Sequence, residues 1–148
     1  MYSNFGSGDS QCYLIFFLFL FVPDLTVSLF IAMMYPIANN TVLIFKLCMQ
    51  NPRPFWLNSE IKPDHCSDNF GNPSGHSFNA AYFMTFLYFR FVWRWAFGRG
   101  FPKGKLFAVL VITSLLLAAV HICMEVSRMF LGMHSANQII LGASMGTW

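Results

Sequence analysis

Long apolar runs alternate with short polar breaks along this chain, and the runs set its architecture. Cys12 to Val22 is intensely apolar but only about a dozen residues long, where a full helical span needs roughly 20. Pro23-Asp24 interrupts the pattern. Leu25 to about Leu47 is long enough to cross a bilayer, although it contains Pro36 and Asn39-Asn40-Thr41. That glycosylation-like triplet, in mid-span, is expected to lie between helices rather than carry a glycan. A loop rich in Pro, Asn, Asp and Ser runs from Met49 to Asn72. Ser77 to about Phe97 and Leu106 to Val126 are the next spans, Ser127 to His134 is a short link, and Ala136 to Trp148 begins a last helix.

The pattern predicts an all-α, multi-span transmembrane bundle that forms one domain over 1–148. Its spans are expected at about 12–22, 25–47, 77–97, 106–126 and 136–148. The first and last runs are short for a span, so the bundle is expected to be truncated at both ends.

Composition agrees with the pattern. The chain is 56% hydrophobic and 10% charged, against about 25% charged in a soluble domain. Membrane lipids are therefore its expected surroundings. A net charge of +3 is too small to point to nucleic acid. The four cysteines show no C-x-x-C spacing, so no zinc site is expected. Cys12, Cys48 and Cys123 lie in or beside apolar runs and are expected to be buried. Cys66 sits in the polar loop without an evident partner. Nothing in the pattern sets an oligomeric state.

Charge adds a direction. Arg90, Arg94, Arg99, Lys103 and Lys105, five of the nine basic residues, share one connection with no acid among them. The positive-inside rule puts that connection in the cytoplasm. The segments around 49–76 and 127–135 then meet on the lumenal or extracellular face.

Those segments hold the unusual polar residues. Lys46 ends a span, and Arg53 follows between Pro52 and Pro54, which restrict its backbone. Pro73-Ser74-Gly75-His76 opens the next helix with a hydroxyl, open backbone amides and an imidazole. Arg128 follows an apolar span, and His134 stands just ahead of the last helix. Any one of these alone is an ordinary anchor or cap. Together, three cations and two histidines on one face suit phosphoryl transfer. The cations neutralise phosphate oxygens, one imidazole attacks phosphorus, and the other protonates the leaving alkoxide. Protein cations would supply the charge stabilisation that a metal otherwise gives, so neither metal nor cofactor is expected.

Lys46-x6-Arg53-Pro54, Pro73-Ser74-Gly75-His76 and Ser127-Arg128-x5-His134 resemble the three-part signature of the phosphatidic acid phosphatase type 2 and haloperoxidase superfamily. Lipid phosphate phosphatases and glucose-6-phosphatase belong to it. The resemblance implies a helical bundle of that type and a phosphoric ester hydrolase acting through a phosphohistidine. It implies His134 as the nucleophile and His76 as the general acid, with Lys46, Arg53, Ser74, Gly75 and Arg128 binding phosphate.

The common pattern continues His-x3-Asp, and this chain has Gln138 at the last position. One helical turn from His134, its amide oxygen can accept from the ring and fix the tautomer, but cannot stabilise an imidazolium as a carboxylate would. The glucose-6-phosphatase branch resembles this chain in having Gln there. The expected activity is hydrolysis of a phosphomonoester or diphosphate, with a lipid phosphate favoured. A sugar-phosphate phosphatase and a non-catalytic membrane scaffold that keeps the fold are the alternatives. His121 and Glu125, one turn apart, are expected to pair structurally, and Glu125 can also position Arg128.

Overall fold

In a computed structural model of the chain, Tyr13, Phe16, Phe17 and residues 24–63 and 67–148 are described. The expected first span at 12–22 and the loop residues His65 and Cys66 lie outside that set, Tyr13, Phe16 and Phe17 apart. All regular structure among the described residues is helical. Helix α1 covers Leu25–Met49, α2 is the single turn Pro54–Leu57, α3 covers Gly75–Leu87, and α4 is Arg94–Gly98. A π-helical segment, Tyr88–Trp93, joins α3 to α4. Helix α5 is Lys103–Phe130 and α6 is Ala136–Thr147.

Local chemistry sets the boundaries. The Asp24 side chain caps α1 by accepting from the Thr26 and Val27 amides. Gln50 ends that helix in the left-handed conformation, its amide returning to the Lys46 carbonyl. Pro54 occupies the first turn of α2, where a missing N–H costs nothing. Ser74 caps α3, and Ser135 with Gln138 forms a capping box on α6. Gly132, at φ +66°, turns the chain between α5 and α6.

Helices α3 and α6 form the closest pair. On α6 the spacing Gly142-x3-Gly146 removes two side chains from the contact face. A Cβ on Gly142 would lie 2.5 Å from the Ser74 carbonyl oxygen, and one on Gly146 would overlap the Phe78 carbonyl. Small residues at this spacing let membrane helices approach backbone to backbone. Ala38 and Val42 of α1 and Phe78 of α3 make the adjoining core, with Met145 of α6 packed on it.

Polar contacts add to the packing. Asn79 of α3 donates to Asn39 of α1 at 2.8 Å, so the sequon asparagine sits between helices. At the opposite end of the bundle from Lys46, Arg90 pairs with Asp24 at 3.4 Å.

Much of the surface is apolar. On α5 only Met124, Glu125 and Arg128 are buried, and the rest of a helix whose most apolar 18-residue stretch has mean hydropathy 2.6 faces outward or partly so. The stretches Leu25–Leu57 and Lys103–Phe130 are long and apolar enough to cross a membrane. A face of this kind is stable against lipid and costly in water.

Two expectations need correction. Ser127 and Arg128 are not in a link, because α5 continues through Phe130 and carries Arg128 in its last turn. Cys48 and Cys123 are exposed rather than buried, since their faces of α1 and α5 point away from the protein core.

Candidate active site

Lys46, Arg53, Ser74, Arg128, His134 and Gln138 are all buried, and they converge at one end of the bundle. Each arrives on a different support. Lys46 stands in the last turn of α1 and donates from Nζ to the Phe70 carbonyl at 2.7 Å. It also lies beside the start of α3, where a Cβ on Gly75 would be 4.0 Å from Lys46 Cε. Arg53 precedes α2. Its Nε donates to the Asn69 carbonyl at 2.7 Å, and its Nη1 donates to the Met133 carbonyl at 3.2 Å. Both cations thus hold the loop before Pro73, and Arg53 also ties it to the segment that carries His134.

His134 is fixed on both sides. Arg53 Nη1 lies 3.3 Å from His134 Nε2. Because a guanidinium only donates, Nε2 must present its lone pair. On the other side, His134 Nδ1 lies 3.3 Å from Gln138 Oε1. The orientation of that amide is set by its other contacts: Oε1 accepts from the Ser135 amide at 3.2 Å, and Nε2 donates to the Pro52 carbonyl at 2.8 Å. The ring proton therefore belongs on Nδ1.

The phosphate-type turn is held as firmly. The Ser74 amide donates to the Gln138 carbonyl at 2.9 Å. That amide is therefore committed, and Gly75 and His76 supply the first two N–H groups of α3. Ser74 Oγ accepts from the Ser77 amide, and its oxygen stands 2.9 Å from the Ser77 hydroxyl oxygen.

Electrostatics link the parts. Burial first, then the charges of Arg53, Lys46 and Arg128, push His134 down to about 3, against a small opposing effect of Gln138. His76, one residue ahead of the apolar run, is also pushed down to about 3, by burial and then by Arg128, Lys46 and Arg53. Both imidazoles lie within the field of the same three cations, and both are held as neutral rings.

Two contributors were not singled out from sequence. Ser77 bonds Ser74 on one side and Glu125 on the other. Gly71 faces the Gln138 amide so closely that a Cβ there would stand 2.6 Å from Gln138 Nε2. The Gly142-x3-Gly146 spacing was the signal for the helix contact that seats Gln138; nothing comparable marked Ser77 or Gly71. The expected pairing of His121 with Glu125 is present as proximity, with Nε2 3.2 Å from Oε1, but without hydrogen-bond geometry. Among the described residues, no three His, Cys, Asp or Glu side chains gather as a metal site would require.

The family model described as the PAP2 superfamily matches residues 23–148. The chain belongs to that superfamily. A dolichyldiphosphatase of Saccharomyces cerevisiae is 28% identical over 114 residues, a match covering 77% of this chain. The match spans 44% of the yeast protein's length. Among solved structures, the crystal structure of a transmembrane PAP2-type phosphatidylglycerolphosphate phosphatase from Bacillus subtilis superposes with a TM-score of 0.71 at 19% identity. It covers 99% of this chain and 68% of that one. The superposition carries the all-helical transmembrane fold, and with the outward apolar helices it makes this a membrane protein.

Proposed function

We propose that this chain carries a metal-independent phosphatase site that hydrolyses a lipid phosphate or lipid diphosphate through a phosphohistidine. The observation that carries the proposal is the clamp on His134. With Nδ1–H against Gln138 and the Nε2 lone pair against Arg53, the ring is neutral and its nucleophilic nitrogen points into the cation cluster.

In the first step, Nε2 of His134 attacks phosphorus and the P–O bond to the leaving group breaks. His76, protonated once the bound phosphate offsets the surrounding cations, gives that proton to the departing oxygen. Lys46, Arg53 and Arg128, with the Ser74 hydroxyl and the amides at Gly75 and His76, hold the three equatorial oxygens. In the second step, His76 takes a proton from water, which attacks phosphorus and breaks the P–N bond. Phosphate leaves and His134 returns to its starting form. Gln138 keeps the ring in register throughout.

A lipid substrate is favoured because the site sits at one end of a bundle with an apolar outer surface, and because a relative is a dolichyldiphosphatase. The site lies at the bundle end away from Arg90 and the basic connection, which supports a lumenal or extracellular site in a multi-pass chain.

The test is phosphate release in detergent with EDTA from polyprenyl diphosphate, phosphatidate and glucose-6-phosphate, with vanadate as a bound mimic. Release from the two lipids, lost in His134→Ala, is the expected result. Vanadate binding with no turnover of any substrate would instead support the scaffold, and preference for glucose-6-phosphate would support the sugar-phosphate alternative.

A further inference from the structure

A chain of buried polar groups runs away from the phosphate turn into the bundle, and the chemistry described so far makes no use of it. Ser74 Oγ stands 2.9 Å from Ser77 Oγ, and Ser77 Oγ in turn bonds Glu125 Oε2. Ser74 and Ser77 are completely inaccessible, and Glu125 is 9% exposed. An acid at this depth in an apolar helix is costly unless it has a task or a partner. Its charged or titratable neighbours are on its own helix: His121, 3.2 Å away, and Arg128, whose charge acts on it. From α3 it meets the Ser77 hydroxyl.

We propose that Glu125 is a positioning residue for the phosphate-binding turn, acting through Ser77 on the Ser74 hydroxyl. The proposal rests on the phosphatase reading of the site.

The hydrogens available to the three side chains fix the order of donors. A hydroxyl has one hydrogen to give. Ionised beside Arg128, the Glu125 carboxylate can only accept, so it takes the Ser77 hydrogen. Ser77 Oγ then has only lone pairs to turn toward Ser74. It cannot place a proton between the two oxygens, so the Ser74 hydroxyl must be the donor. Ser74 has two outlets: inward to Ser77 Oγ, made a better acceptor by the carboxylate behind it, or outward to a phosphate oxygen. Glu125 thereby keeps Ser74 a donor and holds its oxygen at the turn. The turn is also closely backed from the other side, since a Cβ added at Gly142 would lie 3.2 Å from both the Ser74 nitrogen and Ser77 Cβ. Without the carboxylate, Ser77 is free to spend its hydrogen elsewhere and the Ser74 rotor loses its fixed partner.

The experiment is a double-mutant cycle on vanadate affinity in purified full-length protein, with Glu125→Gln, Ser77→Ala and Ser74→Ala singly and paired. Melting temperatures are recorded for every variant. Glu125→Gln should weaken vanadate about tenfold, the worth of one hydrogen bond of about 1.4 kcal/mol. In the Ser74→Ala background it should cost almost nothing further. Ser77→Ala leaves Glu125 beside Arg128, so it serves where the Glu125 variant folds poorly, and it should show the same non-additivity. Glu125→Asp should recover part of the affinity. Equal losses with and without Ser74, for both Glu125 and Ser77, would overturn the proposal and leave the phosphatase reading intact. A wild type that binds no vanadate would overturn both.

Discussion

Gln138 and His134 are joined by a contact that decides which ring nitrogen is free: Oε1 of the amide lies 3.3 Å from Nδ1. The amide oxygen can only accept, so the proton sits on Nδ1 and the lone pair on Nε2. Gln138 is itself fixed by the Pro52 carbonyl and the Ser135 amide. It ties α6, the loop before α2 and His134 together.

Gln138→Ala should therefore do two separable things. Leaving the Nδ1–H and the Pro52 carbonyl without partners in a buried place should cost about 1–3 kcal/mol of stability. Loss of the tautomer lock should lower kcat about 10- to 100-fold. Thermal melts and kinetics on the same preparation separate the two effects. Gln138→Asp should instead move the His134 titration upward, because a carboxylate stabilises the imidazolium; histidine NMR in detergent reads that shift.

Acid should weaken the folded state. His134 and His76 are both held at about 3 when folded, against about 6.5 when unfolded. Between those values the unfolded chain binds more protons, so stability falls as pH falls below about 6.5. Above that pH the two groups contribute no pH dependence. Melts at pH 7.5 and pH 4.5 should show the loss, and His134→Gln with His76→Gln should reduce it.

Oxyanion binding should draw protons in. A phosphate or vanadate dianion among Lys46, Arg53 and Arg128 offsets the charges that hold His76 down. Its pKa should rise on binding, so affinity should strengthen as pH is lowered through the range below the bound-state value. Calorimetry of vanadate binding in buffers of different ionisation enthalpy measures the uptake. His76→Ala should abolish most of it.

The α3–α6 contact should be intolerant of side chains. Gly146→Leu places atoms where the Phe78 carbonyl stands, at a cost of about 1–3 kcal/mol for an overpacked site. Because α6 carries Gln138, activity should fall together with the melting temperature. Ala143→Leu on the partly buried neighbouring position should be milder, and the same two assays compare them.

The site was largely legible in the sequence because its residues are costly ones. A buried Lys, Arg or His in an apolar chain is conspicuous, and Lys46, Arg53, Arg128 and His134 each stood at a run's edge. Helix existence was legible for the same reason, since apolar runs of that length have few alternatives. What escaped notice were contacts made by ordinary residues. The carbonyls of Asn69, Phe70 and Met133 that engage Lys46 and Arg53 have no side-chain signature. Ser77 read as an unremarkable first-turn residue of a span, and only three-dimensional placement beside Glu125 gives it a role. The end of α5 is not legible because Ser127 and Arg128 look like loop residues, whereas the helix keeps them and buries Arg128.

The central claim is that His134 becomes covalently phosphorylated, and rapid-quench trapping tests it most directly. Full-length protein in detergent with EDTA is mixed with a phosphorus-labelled lipid phosphate, quenched in base within milliseconds, and mapped by peptide mass spectrometry. The account predicts a base-stable, acid-labile phosphate on His134 that builds before product is released, accumulates further in His76→Ala, and is absent in His134→Ala. Label on any other residue, or full turnover in His134→Ala, would contradict it.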